Sequence, residues 1–177
     1  LFLACAVLAF TCACAGADVK KFNALFQKHY PEIKTLAAQI SSNEVELITV
    51  LNSLNKKYGD EYESGNRMKM FEIQRQIDRV NKVYDACDII SGGLDMLELS
   101  GLFIASSPDS RPGDAAIQLF LAKNTQYMAM IRQRLAAYKT ADRSVVNKNV
   151  TKIMDQTVSL ARQYIRIAES LQSALGG

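Results

Sequence analysis

Residues 70–94 read MFEIQRQIDRVNKVYDACDIISGGL, and this stretch decides the fold class. Its apolar residues recur in alternating steps of three and four, which places them on one narrow stripe of an α-helix. The residues between them are mostly charged or amide. The members of the stripe are Met70, Ile73, Ile77, Val80, Tyr84, Cys87 and Leu94. Because such a stripe must pack against other helices, the sequence predicts a helical bundle.

The most regular repeat lies at the C-terminal end of the chain. Apolar positions step by fours and threes there, and a second apolar column lies beside the first. The first column is Val146, Val150, Ile153, Thr157, Leu160, Tyr164, Ile167, Leu171 and Ala174, and the second is Met154, Val158, Ala161, Ile165 and Ala168. Two adjacent columns need contacts on more than one side, so we expect this helix to pack between two others.

Helical spacing also continues through residues 19–58, where the boundaries are less clear. Pro31 either interrupts this region or opens its next helix, because proline fits the first position of a helix. The sequence Ser-Ser-Asn-Glu at 41–44 predicts a break with a capping box, and the alternative is one kinked helix running through it. We expect Gly59 at a helix end and residues 59–66 as the turn before the next helix begins, near Asn66 or Arg67.

Proline and glycine set the remaining boundaries. Residues 106–113, SSPDSRPG, are the clearest predicted loop, and Asp114 is suited to cap the helix that follows. Asn124 falls on the apolar stripe of that helix, where a buried Asn can fix the register between helices. A short polar turn is expected from Thr140 to Ser144. Segment 92–105 is interpreted as a helix that bends at its first glycines and buries its end, with a hinge or membrane-touching segment as the alternative.

The first 17 residues carry no charge, and an apolar run followed by small residues is typical of a secretory signal peptide. We interpret 1–17 as such a peptide, truncated at its start, and 18–177 as a single helical-bundle domain. A membrane anchor is one alternative, although the run is shorter than the ~20 residues that a span needs. Lipidation at Cys12 or Cys14 is another. The predicted location is periplasmic, envelope-associated or secreted, with a lipoprotein as the alternative.

Charge and cysteine content narrow the function classes. The formal net charge is +3, and acidic and basic residues are interspersed without a basic run, so we expect no nucleic-acid partner. Three of the four cysteines lie in the predicted signal peptide. Only Cys87 would remain after its removal, which leaves no internal disulfide and predicts stability from apolar packing.

No catalytic residue, cofactor-binding residue or metal ligand is predicted. The single histidine, His29, is interpreted as a surface residue near a helix end. Cys87 is interpreted as a core or inter-helix residue, because Asp85 and Asp88 give it a locally acidic setting that does not activate a thiol. Dimerisation through Cys87 is the alternative. The segment Asn149-Val150-Thr151 matches the N-glycosylation pattern.

The sequence therefore predicts an all-α protein, an antiparallel bundle of four to five helices with coiled-coil-like packing. The expected role is that of an exported, non-enzymatic structural or protein-binding subunit, with a protein partner or self-association and no cofactor. In layout the chain is similar to the small exported helical subunits of bacterial conjugation and type IV secretion machines, which pair a signal peptide with an extended bundle. The competing hypothesis is a carrier of apolar ligands or lipids, with membrane contact through a lipid on the signal region or through 92–105.

Overall fold

The computed structural model describes residues 19–106, 114–139 and 146–176. Nearly all of them belong to four helices: α1 (Val19–Glu63), α2 (Arg67–Ala105), α3 (Asp114–Lys139) and α4 (Lys148–Ala174). The described residues contain no strand, so the predicted all-α class is confirmed, with four helices in this part of the chain. The predicted signal peptide at 1–17 and the predicted turn at 140–144 lie outside the described residues. So does the predicted loop at 106–113, apart from Ser106, which caps the end of α2.

α1 is one continuous helix of 45 residues, so the predicted break at 41–44 is wrong. Ile40, Asn43 and Leu47 are all buried, which means that one face of the helix stays against the core across the two serines. Continuing the helix keeps these three side chains buried, whereas a break would expose them. Pro31 lies inside the same helix on its exposed side.

The turn between α1 and α2 is shorter than predicted. α1 continues past Gly59 to Glu63, and the chain reverses through Ser64, Gly65 and Asn66. Gly65 has a φ of 74°, a left-handed conformation that glycine adopts without steric cost. The side chain of Asn66 then caps α2, accepting a hydrogen bond from the backbone N–H of Lys69 at 3.4 Å. The predicted start of this helix near Asn66 or Arg67 is confirmed.

Helices α1 and α2, α2 and α3, and α1 and α4 run antiparallel, whereas α2 and α4 run parallel, with Gly93 against Tyr164 and Cys87 against Thr157. Contacts at two levels along each pair set these directions: Phe26–Gly101 and Lys34–Glu98 for α1 and α2, Tyr127–Gly92 and Tyr138–Lys82 for α2 and α3, and Glu32–Arg166 and Asn43–Thr157 for α1 and α4. Helices α2 and α4 each contact the three other helices, so they lie across the middle of the bundle.

Both predicted stripes lie in the core. Every member of the first α4 column is buried except Val146, which is half-buried. On α2 the predicted stripe is buried from Ile77 onward apart from the half-buried Tyr84. The core of α2 is also wider than the prediction, because a second group faces α3 and α4: Val83, Ala86, Ile90, Gly93 and Leu97.

The glycines of segment 92–105 allow aromatic rings to lie against the backbone of α2. A Cβ on Gly101 would come within 2.1 Å of the Phe26 ring, and one on Gly93 within 2.9 Å of the Tyr164 ring. α2 is helical through this segment, whose end is buried at Gly101 and Ile104. Among the described residues, no helix has both the length and the apolar character needed to cross a bilayer.

The helices differ in length, and the difference leaves a two-helix projection. α1 and α2 have 45 and 39 residues, against 26 and 27 for α3 and α4. Tyr138, at the end of α3, reaches the Lys82 carbonyl, and the start of α4 lies about 13 Å before Thr157. Residues 52–78 therefore extend beyond both shorter helices, by roughly 18 Å. We call residues 52–78 the arm and the remaining described residues the body.

Candidate binding surfaces

A small polar cluster lies inside the body, where α1, α2 and α4 meet. The Thr157 hydroxyl donates to the Ile153 carbonyl at 2.8 Å and accepts from the Asn43 amide at 3.3 Å. The Cys87 thiol lies 3.4 Å from the same oxygen, and it acts as donor because the Thr157 proton is already used. Asn43, Cys87 and Thr157 are all buried, so this cluster links three helices at one level of the core.

The environment of Cys87 makes it unreactive. Burial raises the pKa of its thiol to about 11, the hydrogen bond with Thr157 makes this increase smaller, and the charge of Glu44 adds to it. A thiol with this pKa stays protonated at neutral pH, and the thiolate is the form that acts as nucleophile or metal ligand. The position of Cys87 agrees with its prediction as a core or inter-helix residue.

A polar groove opens above this cluster, between α1 and α4. Its volume is ≈ 360 Å³ and its walls carry amides and hydroxyls with one carboxylate: Gln39, Ser42, Asn43, Glu46, Gln156, Ser159, Leu160 and Gln163. A groove for an apolar ligand is normally lined mainly by hydrophobic and aromatic side chains. This groove is therefore suited to water or a polar group, and it is not a site for a lipid chain.

A second buried amide joins α3 to α4. The side-chain nitrogen of Asn124 donates to the Ala168 carbonyl at 2.9 Å and to the Gln172 side-chain oxygen at 3.1 Å. Gln172 in turn donates to the Thr125 hydroxyl at 3.3 Å. Because a buried amide is costly without these partners, the network favours one register of α3 against α4. This is the role that the stripe position of Asn124 predicted.

The arm carries three highly exposed large apolar side chains near its tip. Tyr62, Met68 and Phe71 have exposed fractions of 69%, 74% and 70%, and they flank the turn at Ser64–Asn66. Within residues 52–78, all of which the structure describes, only Leu54 and Ile77 are buried. These two side chains belong to the seam between α1 and α2, which is the arm's own small core.

One face of α1 in the arm has an unusual composition. Asn55, Lys56, Gly59, Tyr62 and Glu63 recur at spacings of three and four, so they share one side of the helix, and each is exposed. Neither Lys56 nor Glu63 forms an ion pair with another described residue. A Cβ on Gly59 would meet no atom within 4 Å. The face therefore presents a cation, an anion and an aromatic ring around an open glycine.

A separate apolar surface lies on the outer side of the body, within segment 92–105. Leu99, Leu102 and Phe103 point away from the core of α2, with exposed fractions of 69%, 40% and 61%. Leu119 of α3, also exposed, lies at about the same level, because Tyr127 of α3 sits against Gly92 of the antiparallel α2. The burial at the end of segment 92–105 agrees with the prediction that this end packs into the core. The exposed apolar residues on its outer side were not predicted.

The other residues considered from the sequence lie apart from one another. His29 lies inside α1, about three turns after its start, and is half-buried with its Nδ1 3.3 Å from Glu32. Its predicted place near a helix end is wrong, because α1 does not stop at Pro31. Asp85 and Asp88 are exposed on α2. Asn149 is exposed in the first turn of α4. Residues 19–106, 114–139 and 146–176 hold no group of three or more His, Cys, Asp or Glu side chains arranged for a metal ion.

The chain matches no protein-family model, no curated protein and no solved structure. Its function has to be inferred from the surfaces described above. No site residue was predicted from the sequence, and neither the arm nor the outer face of α2 was expected. The arm residues did carry a signal, because Tyr62 and Phe71 fall outside the apolar stripes and are exposed among the described residues.

Proposed function

We propose that this protein is an exported, non-enzymatic structural or protein-binding subunit of the cell envelope or its exterior, and that the arm is its contact surface. Secretion and conjugation machines contain subunits of this general layout, and a place in such an assembly is part of the proposal. The body supplies a rigid base, with coiled-coil-like packing along the α4 repeat. The arm presents side chains that the body does not use.

The exposure of Tyr62, Met68 and Phe71 carries this proposal. Each of these side chains buries substantial apolar area when it is covered, and aromatic residues and Met are enriched in protein interfaces. Scattered exposed apolar residues are ordinary, but three of this size around one turn, at the end of a projection, support the proposed contact surface. A helical hairpin also holds them in a defined geometry, which lowers the entropy lost on binding.

Site-specific photo-crosslinking in the native host tests the arm. A photoreactive amino acid replaces Tyr62 or Phe71, and the control replaces Lys152, an exposed residue of α4 in the body. We expect discrete adducts of defined mass from both arm positions and none from the control. Arm positions that give no adduct, or the same pattern as Lys152, would overturn the proposal.

The exported location rests on the uncharged run in the first 17 residues. Mass spectrometry of the protein isolated from its host tests it directly. We expect the chain to begin at or near Asp18, or to carry a lipid on a cysteine. A cytosolic protein that retains residues 1–17 would contradict export while leaving the role of the arm open to the crosslinking test.

A binder of apolar ligands or lipids is the second candidate function, and the outer face of α2 favours it. Leu99, Leu102 and Phe103 offer an apolar strip that could lie on a lipid surface without opening the bundle. Flotation with liposomes distinguishes the two surfaces. Lipid binding lost in Leu99→Ser/Phe103→Ser, but retained in Phe71→Ser, would support this function. A wild-type chain that does not float would exclude it.

A further inference from the structure

We infer that the arm binds a second copy of this chain, through α1 faces that cross antiparallel at Gly59. This inference rests on the proposed function of the arm as a contact surface and names the partner. It concerns the face formed by Asn55, Lys56, Gly59, Tyr62 and Glu63, which no other described helix covers.

The order of residues along this face is self-complementary. At about 100° per residue, Lys56 and Glu63 lie on one side of this face, and Asn55 and Tyr62 lie on its other side. A two-fold axis at Gly59 therefore brings Lys56 opposite Glu63 of the second copy and Asn55 opposite Tyr62. The symmetry repeats both contacts, because in an isologous interface each residue makes its contact twice. The same face thus provides both the cation and its anionic partner.

Gly59 suits the centre of such a crossing. It lies within a helix, where a glycine is unfavourable by roughly 0.5–1 kcal/mol relative to alanine. Gly93 and Gly101 lie in the core, and each has an aromatic ring packed against it. Gly59 is exposed, and no atom of the described residues lies within 4 Å of where its Cβ would be. A second α1 helix could approach closely there and cover Tyr62.

The charged residues of this face favour a second copy over an unrelated protein whose surface carries charges of a single sign. On this face Lys56 precedes Gly59, whereas Glu63 follows it. An antiparallel copy of the same helix puts Lys56 of one arm beside Glu63 of the other. A parallel copy would put like charges together. Complementary charges of this kind contribute mainly to specificity and register, while the covered apolar area contributes the affinity.

Sedimentation velocity of the full chain over a range of concentrations tests the inference through a charge exchange. We expect a monomer–dimer equilibrium in the wild type. Lys56→Glu places a carboxylate opposite Glu63 twice in the dimer, and Glu63→Lys places an ammonium opposite Lys56 twice. Each should weaken the dimer about tenfold, since each changes two contacts. The double variant Lys56→Glu/Glu63→Lys restores opposite charges and should return the affinity to within about twofold of the wild type.

A steric variant checks the crossing point. Gly59→Leu should abolish the dimer without unfolding the monomer, because Gly59 is exposed and a Cβ there would have no atom within 4 Å. Circular dichroism of each variant confirms that the helices are retained. A dimer that tolerates Gly59→Leu, or a double charge variant that stays as weak as the single ones, would overturn the inference.

The outcomes separate this inference from the function on which it rests. A chain that is monomeric at every concentration, but gives arm adducts with a different protein, overturns the second copy and leaves the proposed function standing. A monomeric chain with no arm adduct overturns both. Adducts of twice the chain mass, together with restoration by the double variant, support both.

Discussion

The body and the arm use one continuous pair of helices in different ways. In the body, Leu94 of α2 is buried among four helices, whereas Met70, in the same stripe of the arm, is only half-buried between two. The body contains a buried polar cluster and a buried amide, because the apolar burial in its large core offsets the free-energy cost of burying these polar groups. The arm has only Leu54 and Ile77 buried. The body is thus stable through its own contacts, and the arm is the region with most to gain from a partner.

The largest expected effect comes from the same substitution at two positions of one stripe. Leu94→Asp buries an unpaired carboxylate in the body and should cost more than about 4 kcal/mol, enough to unfold a domain of ordinary stability. Met70→Asp in the arm should cost about 1 kcal/mol, because water reaches that position. Thermal and urea melts measure both. Equal losses would show that the arm is packed as tightly as the body.

Glycine substitutions sharpen the comparison at a smaller scale. Gly101→Ala places a methyl group into the Phe26 ring and should destabilise the body by about 3 kcal/mol. Gly59→Ala meets open space in the arm and should stabilise the helix by roughly 0.5–1 kcal/mol. Urea unfolding of the two variants measures both changes. A destabilising Gly59→Ala would mean that the space above this glycine is already filled.

Substitutions in the polar cluster of the body should have a smaller effect on stability. Thr157→Val removes the acceptor of the Asn43 amide and should cost about 1–2 kcal/mol. Asn43→Leu removes the amide that Thr157→Val leaves without its acceptor. The double variant should therefore recover part of the lost free energy of unfolding. A double-mutant cycle measures this coupling. Strictly additive losses would show that the hydrogen bond between Asn43 and Thr157 contributes no coupling energy.

The smallest effect is expected at the tip of the arm. Phe71→Ser should change the free energy of unfolding by no more than about 0.5 kcal/mol, because the ring is 70% exposed and packs on little. Thermal melting at low protein concentration, where the arm is unpartnered, measures it. A loss above about 2 kcal/mol would place Phe71 in the folded core and remove it from the contact surface.

Much of the body could be predicted because its periodicity is local. The core side of α4 follows from nine positions at heptad spacing, eight of which are buried. In the arm, a turn and the start of α2 near Asn66 were predicted. Asn124 was found by its place in a stripe. Its hydrogen-bond partners Ala168 and Gln172 were not predicted, because the spacing of apolar residues within one helix does not show which helix packs against it.

The projection of the arm could not be predicted, for a physical reason that begins at residues 41–44. Two serines, an asparagine and a glutamate resemble a helix start, but Asn43 is buried against Thr157 and tertiary packing keeps the helix intact. Dividing α1 there hides that it is far longer than α3. The projection depends on that difference in length. The outer face of α2 was missed for a related reason, since the sequence does not show which side of a long apolar segment meets the core.

Hydrogen exchange of the backbone amides tests the central claim, that the body is stable alone and the arm is completed by a partner. The amides to compare are those of residues 52–78 and those of α4, followed by mass spectrometry at low and at high protein concentration. At low concentration we expect the arm to exchange orders of magnitude faster than α4, and at high concentration we expect its protection to rise. An arm as protected as α4 at every concentration would contradict the claim.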